Sequence, residues 1–572
     1  VRKPEVSEEL ARRVVAALRR AFDVDLDPSA ALIAVSTRDG VDYQCNLAMS
    51  LGKRLGKPPR EVAAGIVENL ELDGVADRPE IAGPGFLNFV LRREWLEQRV
   101  AEQAKDDRLG VAEAEQPRRV ALDYSSPNVA KEMHVGHVRS TVIGDAITRL
   151  LRFAGHEVLP HNHLGDWGTP FGMLIEHHLD EPSGDRSDLN AFYQAARRKF
   201  DADEAFANRS RERVVKLQSG DPETLAFWQE LVDESTRHFN AAYRRLGITL
   251  TDDDIYGESF YNPYLGEVVD ELEADGLTEI SDGAVCVFPE GFTNREGDRL
   301  PLIVRKRDGG YGYAATDLAT VRYWTAERGA TDLLYVVGAP QAQHFAMVFA
   351  VSRAAGWLDG VHAEHIGFGS ILGADGKVIR TRAGETIKLS SLLDEAVAQA
   401  AEVVAERSQL SKEEQQEVAH AVGIGAVKYA DLSSDRERDY VFDWDRMLAK
   451  DGNTSVYLQY AHARIESILA KAGETAEEAP VLLKEPAERA LALTLLRFSE
   501  AISAATSAYA PHKLCTYLYD TAVTFSRFYE QCPVLTAETS ELRASRVQLA
   551  KLTSRTLVQG LGLLGIEAPN RL

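Results

Sequence analysis

The chain has 572 residues, enough for three or four domains with sizeable cores, and its 45% hydrophobic and 27% charged residues are ordinary globular composition, which excludes extended disorder. A net charge of -23 argues against a dedicated nucleic-acid-coating protein, yet leaves room for local cationic strips, for which 197–199, 209–216 and 305–307 are candidates. No apolar run approaches a membrane span, the first ten residues are charged where a secretion signal would be apolar, and Cys45, Cys286, Cys515 and Cys532 form no Cys-x-x-Cys pair, so a cytoplasmic protein with no membrane partner, disulfide framework or zinc knuckle is expected.

In chain order, helical periodicity over 6–22 and 61–70 and a strand over 85–91 predict a small α/β domain occupying 1–115. Gly110 and Pro117 bracket a polar connection. The run 119–124 then has the length and apolar content of a buried parallel strand, which Pro127 stops. From about Gly136, the residues Val138, Thr141, Val142, Ile143, Ala146, Ile147 and Leu150 recur at helical spacing. A second strand over 157–160, a helical insertion over about 176–250, and strands over 333–338 and 365–368 follow. Strands alternating with helices predict a Rossmann-type, doubly wound parallel sheet over 116–390, with ligands collecting at the carboxyl ends of its strands. Beyond 390 the strands disappear. Period-3.6 patterns over 392–405, 413–429, 457–472, 486–509, 514–532 and 542–564 predict a helical connecting region over 391–455 and a helical bundle over 456–572, with a linker at 473–479.

Between the first strand and its helix lies Ser125-Ser126-Pro127-Asn128-Val129-Ala130-Lys131-Glu132-Met133-His134-Val135-Gly136-His137. His134 and His137 fall at a helix N-terminus, where free N–H groups and the positive dipole end favour a phosphate. Two imidazoles three residues apart add directed donors, Gly136 allows close approach to the backbone, and Lys131 adds a cation. A strand before, a helix after and a lysine upstream are what a nucleotide site needs, and a chance surface turn needs none of them.

These residues resemble class I arginyl-tRNA synthetases over nearly the whole length. Ser126 to His137 fit the ATP-binding signature Ser-Pro-Asn-x-Ala-Lys-x-x-His-x-Gly-His, and further matching strings are Asn162-His163-Leu164-Gly165-Asp166-Trp167-Gly168-Thr169, Tyr313-Ala314-Ala315-Thr316-Asp317, 336–345, Gln459-Tyr460-Ala461-His462-Ala463-Arg464 and 561–566. The resemblance implies an arginine-tRNA ligase. Such an enzyme activates L-arginine with ATP to arginyl-adenylate and transfers it to the 3′ end of tRNA(Arg), with Mg²⁺ travelling on the nucleotide, no metal held by the protein, and a single chain as the working unit.

By the same resemblance, Pro127, His134, Gly136, His137 and His344 bind ATP, while Asp123, Ser126, Asn128, His134, Tyr313, Asp317 and Gln341 line the arginine pocket. A guanidinium needs carboxylates and fixed acceptors in a fork, a role for Asp317 with Gln341 or Tyr313, while Asp123 and Asn128 hold the α-ammonium. The second ATP motif falls at 375–384, where Arg380 stands in place of the usual second lysine. That departure shifts the catalytic cation toward Lys131, with Lys377 and Arg380 next. Phe86, Asn88 and Tyr460 are implied tRNA contacts, although Phe86 alternates with Leu87, so one of the two belongs to the core. Two competing readings are another class I synthetase, against which the 313–317 string and the helical last third weigh, and a non-catalytic tRNA-binding paralogue, against which intact His134, His137, Lys131 and Asp317 weigh.

Overall fold

The computed structural model describes residues 4–182, 188–379, 386–405, 410–473 and 479–572. In the N-terminal module, helix Val6–Phe22 buries Leu10, Val14 and Leu18 on one face. Strands β1 (Ile33–Val35), β2 (Tyr43–Cys45), β3 (Glu80–Ala82) and β4 (Phe86–Phe89) form an antiparallel sheet in the order β1-β2-β4-β3. Leu87 is fully buried and Phe86 half-buried, so Leu87 is the core residue of that pair.

The central sheet is parallel and four-stranded. Its first two strands are β5 (Arg119–Asp123) and β6 (Glu157–His161). The helical insertion follows as Leu189–Ala202, Glu204–Gln218 and Pro222–Leu246, each started by an aspartate, Asp188, Asp203 or Asp221, whose carboxylate accepts backbone N–H groups of the first turn. Helix Glu258–Ala274 leads to three short antiparallel strands, β7 (Thr278–Ser281), β8 (Ala284–Val287) and β9 (Leu302–Arg305). Strands β10 (Asp332–Gly338) and β11 (His362–Phe368) complete the central sheet in the order β11-β10-β5-β6.

Because side chains alternate across a strand, this sheet divides two cores. Val120, Leu122, Leu334, Val336 and Ile366 join helix Val138–Phe153 in a core that continues into the N-terminal module and the C-terminal bundle. Ala121, Leu333 and Tyr335 face a second core built with helices Glu258–Ala274, Tyr313–Arg322 and Ala342–Ala354. Asp123 lies in register with Tyr335 on one side and His161 on the other, so it is a carboxylate at the carboxyl edge of the second face.

Two expectations need correction. Strand does not end at 390: β12 (Ile371–Leu372) pairs in parallel with β13 (Tyr440–Val441), two-residue strands too short to show a period. Nor is 486–509 one helix. It breaks at Arg497 into Pro486–Leu496 and Phe498–Ser507, where the Arg497 guanidinium turns toward the N-terminal module and sits 5.3 Å from the ring centre of Tyr43. That junction also holds a bidentate pair, Arg489 donating to both oxygens of Asp42 at 2.9 and 2.6 Å. All four cysteines are buried as free thiols. Among the described residues, no helix is long and apolar enough to cross a membrane.

Candidate active site

Strand β5 ends at Asp123, and the chain then adopts left-handed conformations at Ser125 (φ 71°), Ser126 (φ 50°) and Ala130 (φ 62°). Each non-glycine residue in that region costs roughly 1–3 kcal/mol unless its surroundings over-determine it. Here they do. Ser125 N–H donates to Ser140 Oγ (2.9 Å), Ser126 N–H to Asn162 Oδ1 (3.0 Å) and Ala130 N–H to Ser235 Oγ (2.8 Å). Pro127 is buried, and its carbonyl accepts from Gly165 N–H, whose own carbonyl accepts from Val129 N–H. Asn128, in bridge pairing with Gly165, leaves no space there: a Cβ at Gly165 would lie 2.2 Å from Asn128 Oδ1.

The loop ends in a turn at Val135–His137 that enters helix Val138–Phe153. His134 Nδ1 accepts from Gly136 N–H (3.0 Å), and His137 Nδ1 accepts from His134 N–H (3.1 Å). With both Nδ1 lone pairs engaged, each neutral ring carries its proton on Nε2. Burial, helped by Lys131, holds His134 below its ordinary value, while burial and then His134 push His137 down to about 3. Both rings are therefore uncharged directed donors at physiological pH. A Cβ at Gly136 would lie 2.7 Å from Cε1 of His134, so this glycine makes room for the ring itself.

Lys131 sits with its ammonium 4.6 Å from the ring centre of Tyr193, on the first insertion helix. The second motif leaves β12 through a tight turn in which Gly373 N–H donates to Lys377 O (2.8 Å), with Lys377 exposed. Arg380 lies outside the described residues. The returning chain pairs with the first motif, Val135 N–H donating to Ile387 O and Leu389 N–H to Met133 O, both at 2.9 Å. There Lys388, which the sequence reading passed over, contacts Glu132 and Asp188 at 2.9 and 3.0 Å, tying motif to insertion.

The Asp123 end of the loop is acidic. Asp123 is 7% exposed, and burial, with a contribution from Asp317, pushes its carboxyl up to about 7 even though Ser126 Oγ donates to Oδ1 at 2.8 Å. Glu258 opens helix Glu258–Ala274 and is likewise raised to about 7 by burial and by Asp166 and Asp317. Sequence reading missed Glu258; nothing in its local pattern separates it from a helix-starting glutamate. Asp317 receives His344 Nε2 at 2.5 Å, which holds that imidazole above its ordinary value. Tyr313, 78% exposed, starts helix Tyr313–Arg322, and exposed Gln341 ends the turn Ala339–Gln341.

Asp123, His161 and His163 are close enough to suggest a metal cluster. His161 faces Asp123 with Nδ1 (3.3 Å) and His163 with Nε2 (3.3 Å), so its two ring nitrogens address different neighbours. In the N-terminal module, Asn88 is 3% exposed; its Oδ1 accepts from Gln44, its buried Nδ2 has no partner, and the residue lines a 260 Å³ pocket flanked by Arg38 and Arg78. Tyr460 is half-buried against the bundle core.

Comparison with known proteins matches three stretches of the chain. Residues 8–91 match the arginyl tRNA synthetase N-terminal domain, 99–444 the catalytic domain of class I (R) tRNA synthetases, and 458–572 the DALR anticodon-binding domain. An arginine–tRNA ligase of Thermobifida fusca is 52% identical over 575 residues, covering 98% of this chain and 99% of that protein. One of Edwardsiella ictaluri is 49% identical over 542 residues, covering 93% and 94%. The crystal structure of arginyl-tRNA synthetase from Plasmodium falciparum superposes with a TM-score of 0.87 at 28% identity over 100% of both chains, and the Thermus thermophilus arginyl-tRNA synthetase with 0.83 at 27% over 98% and 99%.

Proposed function

We propose a division of labour within the site from one premise: the chain belongs to the arginyl-tRNA synthetase family of class I. It joins arginine to tRNA(Arg), with ATP as the substrate that drives the ligation. One observation carries the assignment of roles: the loop from Asp123 to His137 has uncharged N–H donors at one end and a carboxylate without a cation at the other.

Phosphate oxygens belong at the Nε2–H groups of His134 and His137. The arginine carboxylate attacks the α-phosphorus, the bond to the bridging oxygen breaks, and pyrophosphate leaves with its electron pair. A ribose hydroxyl at the tRNA 3′ end then attacks the carbonyl carbon of the adenylate, loses its proton and releases AMP. The protein contributes position and electrostatic stabilisation, with no covalent intermediate on a side chain. Lys131 is the cation we assign to the reacting phosphates: it acts electrostatically on His134 and needs only to leave the face of Tyr193. Lys377 and Arg380 stand next in line. Mg²⁺ would ride on the nucleotide; the side chains aimed at the phosphates are N–H donors, which bind no cation, so it receives no protein ligand.

Asp123 takes the α-ammonium with Asn128, and Asp317 the guanidinium, with Tyr313 and Gln341 closing over it. Glu258, close enough to Asp317 to raise its own carboxyl, is a second guanidinium partner. His344 is hydrogen-bonded to Asp317, and we assign it to act between amino acid and nucleotide. The unpartnered Nδ2 of Asn88, with Phe86 beside it on β4, supports a base contact in the N-terminal module, and Tyr460 one in the bundle. The buried free thiols support a reducing, cytoplasmic setting, and we take the single chain as the working unit because one core runs through N-terminal module, sheet and bundle.

The test offers the purified protein a panel of amino acids with ATP, Mg²⁺ and total tRNA. Arginyl-tRNA should accumulate; charging of a different amino acid, or of none, would overturn the reading.

A further inference from the structure

Strand register sets His161 beside Asp123 on the same face of the sheet, but register alone does not say what the imidazole does. Its surroundings do. His161 is 2% exposed, and its Nε2 lies 3.1 Å from the hydroxyl of Tyr261, a fully buried residue on helix Glu258–Ala274. That hydroxyl accepts from the indole Nε1–H of Trp324 at 2.9 Å, in a turn that follows helix Tyr313–Arg322. An indole N–H can only donate. The Tyr261 oxygen therefore accepts from Trp324 and has its own proton to give, and His161 Nε2 is in line to receive it. The imidazole proton is then on Nδ1, which faces Asp123 Oδ2 at 3.3 Å.

Other groups face the same ring. The carbonyl of Tyr256 and Nδ1 of His163 each lie 3.3 Å from Nε2, more distant than the Tyr261 hydroxyl. A proton on Nε2 aimed at the Tyr256 carbonyl would leave the Nδ1 lone pair facing an oxygen of an ionised carboxylate. That arrangement is repulsive whenever Asp123 carries its charge, as it does with a bound ammonium. With Nδ1 facing Oδ2 at 3.3 Å and Ser126 Oγ–H donating to Oδ1, each oxygen of Asp123 has a neighbour that fixes its direction.

We propose that His161 is a positioning residue for arginine: the one-way chain Trp324 to Tyr261 to His161 to Asp123 locks the imidazole as an Nδ1–H donor and aims the Asp123 carboxylate at the α-ammonium of the amino acid. The chain begins in the second core, so the packing around Trp324 sets the geometry of substrate binding without touching substrate. This rests on the assignment of Asp123 to the arginine pocket.

The experiment is steady-state charging by the full-length protein, with arginine and ATP varied separately, on His161→Ala, His161→Asn, Tyr261→Phe and the double variant His161→Asn/Tyr261→Phe. Removing a hydrogen bond to a charged group should raise the arginine KM in His161→Ala by roughly ten- to hundredfold, with kcat and the ATP KM within about threefold. His161→Asn retains an N–H near the Nδ1 position and should restore the arginine KM to within about threefold of the parent. Tyr261→Phe frees the ring to change tautomer and should raise the arginine KM by roughly three- to tenfold, an effect that should vanish in the His161→Asn background, where no tautomer remains to set. Should His161→Asn fail as badly as His161→Ala, or Tyr261→Phe act equally in both backgrounds, the imidazole is packing only and the chain is wrong. An unchanged arginine KM in His161→Ala sinks it as well. A parent protein that charges no arginine would overturn the function itself, a distinguishable result.

Discussion

On the assignment proposed above, the two ends of the first motif solve opposite electrostatic problems by opposite routes. At the phosphate end the ligand is an anion, and the protein offers neutral imidazoles whose tautomers are set by backbone N–H groups two and three residues away. At the amino-acid end the ligand carries two cationic groups, and the protein offers carboxylates from positions 123, 258 and 317, brought together only by the tertiary fold. A short stretch of chain can orient a dipole, but it cannot supply buried like charges, because adjacent carboxylates would simply turn to water. The acidic end therefore depends on burial, which leaves Asp123 and Glu258 poised near neutrality until a cation arrives.

The largest effect should come from breaking the acidic end. Asp317→Ala removes the carboxylate proposed for the guanidinium and strands His344, and should lower kcat/KM for arginine by about a thousandfold, mostly through KM; Glu258→Gln should lose about tenfold in the same assay. A Glu258→Gln loss equal to that of Asp317→Ala would mean that the two carboxylates share the guanidinium evenly. At the neutral end, His137→Ala removes one donor to the phosphates and should lower kcat by about a hundredfold with the arginine KM within about threefold. A change confined to the arginine KM would erase the distinction between the ends.

The same contrast explains what was legible in the sequence. Strand, loop and helix around residues 119–153 follow from apolar runs, Pro127 and a local histidine spacing, and the doubly wound sheet from alternation of elements. Asp123 and Asp317 were reached through resemblance, since nothing within five residues of either marks a carboxylate as buried. Glu258 and His161 were not reached at all: one looks like an ordinary first-turn glutamate, and the other gains its meaning from Tyr261 and Trp324, which lie 100 and 163 positions further along the chain. The strain at Ser125, Ser126 and Ala130 was equally hidden, because the hydrogen bonds that hold it come from Ser140, Asn162 and Ser235.

The central claim, charge at one end and neutral donors at the other, is tested most directly by the pH dependence of the two Michaelis constants. Asp123 and Glu258 are raised to about 7, so in the free enzyme they become protonated and neutral as pH falls below that value, and the arginine KM should then rise by about tenfold per pH unit down to pH 5.5. His137 is held at about 3 and stays uncharged throughout, so the KM for ATP at fixed free Mg²⁺ should change by less than about threefold over the same range. An arginine KM that stays flat to pH 5.5, or an ATP KM that follows an ordinary imidazole titration, would contradict the account.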